Sequence, residues 1–315
     1  MWQKTTRESK KYQLRGEILS FIPVEKNVEV MLVTITNTGR MAQTVTPTAA
    51  IPLYGRSADN IRDHRHVTSL LHRIETTDIG VLVTPTLSFD ERGHQVNHMT
   101  YYCVGWSGNG EKPVDFYPTA EDFVGEGGNF ERPYAIVKNA EGVKAGTRIE
   151  GLEAGGGLHF SEVTLEPEEE CSYLIFTGIT EDIQEIRNLS KTYTTREMVL
   201  EELEKTKAYW QQKVNVAYHT GDSDFNQFMH WVSFQPILRR IYGCSFLPHH
   251  DYGKGGRGWR DLWQDCLALL IMNPDGVRQM LLDNFAGVRV DGSNATIIGS
   301  KQGEFVADRN HITRV

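Results

Sequence analysis

The sequence contains no apolar run approaching the roughly 20 residues that a membrane-spanning helix requires, so a membrane is not an expected partner. Cysteine is scarce. The four thiols, Cys103, Cys171, Cys244 and Cys266, are too widely spaced for a Cys-x-x-Cys metal motif or a small disulfide framework. Reduced thiols in a cytoplasm are the default for such a chain. A Gly-x-Ser-x-Gly elbow, a His-Glu-x-x-His helix and a Gly-Lys-Ser/Thr phosphate loop are all missing, which leaves the common hydrolase, metallopeptidase and NTPase routes unsupported. A basic surplus is missing too. With 33 Lys and Arg against 41 Asp and Glu, the formal net charge of -8 argues against a general binder of nucleic-acid phosphates. The first residues, Met1-Trp-Gln-Lys-Thr-Thr-Arg7, carry charge but none of the apolar core of a signal peptide.

What is present is ordinary for a globular protein: 39% apolar and 23% charged residues over 315 positions, enough for two domains. From about Tyr12 to Thr177 the pattern is mostly strands. Val28-Glu-Val-Met-Leu-Val-Thr-Ile-Thr36 is apolar on both faces and runs into the turn Asn37-Thr-Gly39. Gly80–Thr84, Met99–Val104, Leu158–Leu165 and Tyr173–Thr177 behave likewise, and their spacing suggests a large antiparallel sandwich. Gly151–Gly157 and Glu166–Glu170 read as surface turns on this view.

At Thr180 the period changes to helical. Ile183, Ile186 and Leu189 share one stripe, and Met198, Val199, Leu203 and Tyr209 continue it beyond a boundary at Thr194 and Thr195. These two helices read as a connector. A third helix is expected over about 224–242, kinked at Pro236, then helices over 259–271 and 275–288. The expected fold class is therefore α+β and multidomain: a sandwich over 1–178, a helical linker over 179–223, and a helical domain begun over 224–315.

The most informative stretch is Asp251-Tyr-Gly-Lys-Gly-Gly-Arg-Gly-Trp-Arg-Asp-Leu-Trp-Gln-Asp265, a cationic glycine loop leading into a helix. Gly253 to Gly258 satisfies G-x-G-x-x-G, but no apolar strand precedes it and no βαβ unit follows, so a dinucleotide site is disfavoured. Glycines packed this densely suit close backbone approach to a ligand, with Lys254 and Arg257 offering charge to an anion. On the helix, Asp261 and Asp265 share one face, and Arg260 and Gln264 share the adjacent one. Trp259 could stack on a sugar ring, whereas Trp263 suits packing. The competing structural reading pairs the two carboxylates with Arg257 and Arg260. Carboxylates with Arg, Gln and Trp form a set suited to polyhydroxylated ligands. Arg56–His66 and His249-His250 lack the spacing of a metal site, so none is expected. Lys301–Asn310 is a further polar segment that could line the same pocket.

This motif, following an antiparallel sandwich and a helical linker, resembles glycoside hydrolase family 94, the cellobiose-phosphorylase-like enzymes. Pro52-Leu-Tyr-Gly-Arg-Ser-Ala-Asp59 and Phe305-Val-Ala-Asp-Arg-Asn310 resemble its 1,2-β-oligoglucan phosphorylases in particular. The resemblance implies a β-sandwich followed by an (α/α)6 barrel, of which 224–315 would be the N-terminal part. It implies inverting phosphorolysis of a β-glucosidic bond, yielding α-glucose 1-phosphate. Trp259, Arg260, Asp261, Gln264 and Asp265 would hold the sugar, with Lys254 and Arg257 near phosphate. Phosphate is itself the nucleophile, so one general acid suffices. The family's acid falls in a later barrel segment, expected downstream of Val315, and the chain alone is expected to be inactive. No cofactor is implied beyond inorganic phosphate as co-substrate; the partners are a β-glucan oligosaccharide and a possible second copy in a homodimer. Two alternatives are a non-catalytic glucan-binding protein and the phosphorylase-like module of a cyclic β-1,2-glucan synthase.

Overall fold

A computed structural model describes residues 2–55, 68–90, 93–242, 257–294, 297–298, 305–306 and 313–314. It divides into two compact units, Met1–Lys207 and Ala208–Val315. The first unit contains β1 (Trp2–Ser9), β2 (Leu14–Phe21), β3 (Val28–Asn37), β4 (Gln43–Val45), β5 (Thr48–Pro52), β6 (Arg73–Thr76), β7 (Gly80–Val83), β8 (Leu87–Asp90) and β9 (Gly93–Val96). It continues with β10 (Thr100–Ser107), β11 (Asp115–Thr119), β12 (Arg148–Glu150), β13 (Ala154–His159), β14 (Val163–Leu165) and β15 (Glu170–Thr180). Helices α1 (Ala120–Val124) and α2 (Tyr134–Lys138) interrupt the strands, and α3 (Ile183–Thr192) and α4 (Arg196–Lys213) follow them.

An eight-stranded antiparallel sheet in the order β1-β2-β3-β15-β10-β7-β6-β12 faces a three-stranded sheet, β11-β13-β5. The sandwich core lies between them, where Val81, Val83, Cys103 and Ile175 meet Phe116, Ala154 and Leu158. On its other face the large sheet presents Val30, Leu32, Val104, Trp106 and Phe176 to Ile186, Leu189 and Tyr193 of the α3 segment and to Val199 and Leu203 of α4. Burial on both faces explains the unbroken apolar run Val30–Val33 in β3: Val30 and Leu32 pack into one core, and Met31 and Val33 against the other. Phe176 is fully buried between Trp106, at 4.8 Å, and Tyr193, at 5.4 Å between ring centroids. The Trp106 indole N–H donates to the Tyr193 carbonyl at 2.8 Å, which fixes the end of α3 to the sheet. The helices read as a connector thus cover the sheet as far as Leu203.

One expectation is corrected. Gly155, Gly156 and Gly157 are not a surface turn; they lie in β13, the middle strand of the smaller sheet. A Cβ on Gly156 would stand 2.3 Å from Cys103 Cβ, and one on Gly157 would stand 2.5 Å from Tyr117 Cβ. Close packing, not a reversal of direction, requires glycine there. The turn at Asn37 is present and does more than reverse the chain. The buried Asn37 side chain donates to the carbonyls of Met41, at 2.8 Å, and Leu165, at 2.9 Å, and accepts from the Gly39 amide at 2.8 Å.

The second unit contains α5 (Ser223–Tyr242), α6 (Trp259–Met272) and α7 (Val277–Phe285), while α4 runs across the boundary between the units. Asp222 starts α5 by accepting from the amides of Asp224, at 2.9 Å, and Phe225, at 3.1 Å. Its core is small: Val214, Phe234, Ile237, Cys266, Leu269 and Val277. Helices thus follow the antiparallel strands in the chain, as the change of period at Thr180 led one to expect. No helix among the described residues is long and apolar enough to cross a membrane, and none of their His, Cys, Asp and Glu side chains cluster as a metal site.

Candidate functional site

The glycine loop enters the described structure at β16 (Arg257–Gly258), which leads directly into α6. The strand β17 (Ser293–Asn294) pairs with β20 (Thr313–Arg314), and β16 pairs with β18 (Ile297–Ile298), which pairs in turn with β19 (Phe305–Val306). The backbone of 305–306 therefore lies two strands from β16, while the rest of Lys301–Asn310 lies outside the described residues.

Among the described side chains of α6 the buried ones are Asp265, Cys266, Leu269 and Met272, which form one helical stripe. A carboxylate on such a stripe needs a partner, because burying an unpaired charge is costly. Asp265 has one in Arg239 on α5. The Arg239 Nε donates to Oδ1 and Oδ2 at 2.8 Å each, and Nη2 donates to Oδ1 at 2.5 Å. The Arg239 Nη1 also reaches Gln235 Oε1, one turn back on α5, at 3.3 Å. The fork fixes the carboxylate plane as well as its charge. The next residue, Arg240, donates to the Asn273 carbonyl at 3.3 Å and to the Asp275 carbonyl. Two successive arginines thus hold α5 to both the body and the C-terminal exit of α6. Burial pushes the Cys266 thiol up, the neighbouring Asp265 adds to that, and Arg240 opposes it.

The sequence-derived residues separate by face. Arg260 and Gln264 are exposed on α6, while Asp265 points inward to Arg239. The carboxylate of Asp265 is held by Arg239, 26 residues upstream. Trp263 packs edge-on against Phe285 of α7, with ring centroids 4.6 Å apart, in keeping with a packing role. For Arg257, Trp259 and Asp261 the backbone alone is described, and Lys254 lies outside the described residues, as do Arg56–His66 and His249-His250. Arg239 is the residue that the sequence reading missed. Its signal was an arginine pair following Ile237 and Leu238 in an otherwise apolar helix segment, where a charge calls for a buried partner.

The outward face of α6 offers complementary chemistry. Arg260 can donate several hydrogen bonds in a planar array, and Gln264, one turn on, can both donate and accept. A sugar hydroxyl is also both donor and acceptor, so such a pair suits a neutral polyol with the Arg239–Asp265 pair holding the helix rigid behind it.

Comparison with known proteins gives three findings. A family model described as Glycosyl hydrolase 94, supersandwich domain, matches residues 2–196. The cyclic beta-(1,2)-glucan synthase NdvB of Rhizobium meliloti (strain 1021) is 27% identical over 203 residues, covering 60% of this chain and 6% of that protein. The chain therefore spans a small fraction of that relative. A bacterial glucoamylase, solved in complex with acarbose, superposes with a TM-score of 0.54 at 11% identity over 97% of this chain and 42% of its own, a likeness of fold.

Proposed function

Because the chain belongs to glycosyl hydrolase family 94, we propose that it is part of an enzyme that cleaves β-glucosidic bonds of a glucan by inverting phosphorolysis. The observation that carries the reading is the family match over residues 2–196, joined to a glycine loop that runs into an Arg-Asp-x-x-Gln-Asp helix. The substrate is a β-1,2-linked glucooligosaccharide and the second substrate is inorganic phosphate. Arg260 and Gln264 hold the terminal glucose from the exposed face of α6, with Trp259 and Asp261 beside them. Asp265 acts with Arg239 to hold that face in place. Lys254 and Arg257, on the glycine loop, attract phosphate. Phosphate attacks the anomeric carbon from the face opposite the leaving oxygen, which takes its proton from a general acid in a barrel segment beyond the described helices. The products are α-glucose 1-phosphate and a glucan one unit shorter.

The likeness to NdvB favours a second reading, in which the chain is the phosphorylase-like module of a cyclic β-1,2-glucan synthase and trims chain length without phosphate. One assay separates the two. The full-length protein is incubated with β-1,2-glucooligosaccharide, with and without phosphate. Phosphate-dependent α-glucose 1-phosphate supports phosphorolysis. Phosphate-independent change in chain length supports the module, and no turnover of any β-glucan removes both.

A further inference from the structure

A second candidate ligand surface lies in the first unit, around the short helix α1. Two cavities, of about 360 and 540 Å³, flank this helix and share Glu121, Gly125 and Glu126 in their linings, so they form one groove. Phe130 lines the larger cavity with 55% of its surface exposed, and Tyr134 lines the smaller one with 51% exposed. Open aromatic rings beside a concave surface offer a ligand a stacking face.

The groove is preformed. Gly125 and Gly127 adopt φ values of +81° and +66°, which favour glycine. The Gly128 amide donates to the Gly125 carbonyl at 3.1 Å, and a Cβ on Gly128 would stand 1.9 Å from the Val124 carbonyl oxygen. Asn129 Oδ1 then accepts from the amides of Glu131, at 3.0 Å, and Arg132, at 3.1 Å. Phe130 is carried on this tight loop and rests against the buried Phe123, with ring centroids 5.9 Å apart.

The lining selects the ligand class. No lysine or arginine lines either cavity, which disfavours an anion. The carboxylates are dispersed, and no three acidic or His/Cys groups converge as a cation site among the described residues. Aromatic faces with separated carboxylates match a neutral sugar chain, whose C–H faces stack on rings while its hydroxyls donate to carboxylates. We infer that this groove of the first unit binds a neutral oligosaccharide. The choice of a glucan among neutral sugars rests on the functional reading above.

The test is calorimetric titration of the full chain with β-1,2-glucooligosaccharide, in an Arg260→Ala/Gln264→Ala background that removes the α6 face. Saturable binding is expected to persist there. Phe130→Ala or Tyr134→Ala should each weaken it about tenfold, and Phe130→Trp should retain it. Should an aromatic variant lose its cooperative melting, Glu121→Gln, at an exposed position, decides by the same criterion. Unaltered affinity in the groove variants overturns the inference. So does binding of a lysine-rich peptide in place of the glucan. Loss of phosphorolysis in the Arg260→Ala/Gln264→Ala protein with retained groove binding keeps the two sites distinct.

Discussion

The sandwich unit and the helical unit hold together by different means. In the first, the eight-stranded sheet is covered on one face by the smaller sheet and on the other by α3 and the start of α4, and residues such as Val30, Val104, Leu174 and Phe176 are fully buried. In the second, Phe228, Leu267, Ile271 and Phe285 remain 60, 69, 75 and 56% exposed, and Arg239 to Asp265 and Arg240 to the exit of α6 join the helices beside a small core. The first unit is stabilised mainly by removing apolar surface from water, the second by directional polar links beside a small core. A substitution should therefore report on its own unit. Apolar truncation should dominate in the sandwich, and breaking an ion pair should dominate among the helices.

The strongest break should come from Phe176→Ala. It removes a ring packed on both sides and is expected to cost about 3–5 kcal/mol, read as a lower midpoint in denaturant unfolding of the sandwich. Next is Asp265→Ala, which removes the carboxylate that a partly buried Arg239 grips. A loss of about 3 kcal/mol is expected, seen as faster hydrogen exchange in α5 and α6 with the sandwich amides unchanged. If the sandwich strands loosen equally, the comparison between units fails.

High pH should sharpen the contrast. Burial pushes the Cys103 thiol from 9.0 up to about 12, and burial, aided by Glu185, pushes the Tyr102 hydroxyl from 10.0 up to about 12. Both groups keep their protons in the folded state after the unfolded chain has released them. Their contribution is thus complete below about pH 9 and is lost as the pH rises towards 12. A loss on the order of 2 kcal/mol by about pH 11 is expected, and Cys103→Ala should reduce that slope. An unfolding free energy that stays flat across this window contradicts the assignment. The smallest effect should come from Ile271→Ser. Stability should change by about 0.5 kcal/mol or less, while binding of an apolar dye to the protein falls.

The same contrast explains what could be read from the sequence. β3 and α6 were legible because their apolar spacing is local, and Thr195 marked the start of α4, where it meets the Met198 amide at 3.5 Å. The glycine triplet misled because its need for close packing is set by Cys103 and Tyr117, distant in sequence. At the candidate site, Arg260, Gln264 and Asp265 were found as a pattern on one helix. Their division between solvent and interior was not, because Arg239 sets it from another helix. Nor did sequence spacing reveal the groove around α1, whose lining joins residues 120–130 to Tyr117, Tyr134, Ala140–Val143 and Glu153. This division alters how variants must be read. Loss of activity in Asp265→Ala would mix a folding defect with a binding defect, whereas substitution of the exposed Gln264 should report more directly on recognition.

The most direct test is hydrogen exchange of the protein with and without β-1,2-glucooligosaccharide, followed along residues 257–266. The account predicts protection of this segment by the glucan, abolished in Arg260→Ala/Gln264→Ala while the exchange of the sandwich strands stays as it was. Exchange through α6 that is indifferent to glucan, or protection that survives the double substitution, would contradict it.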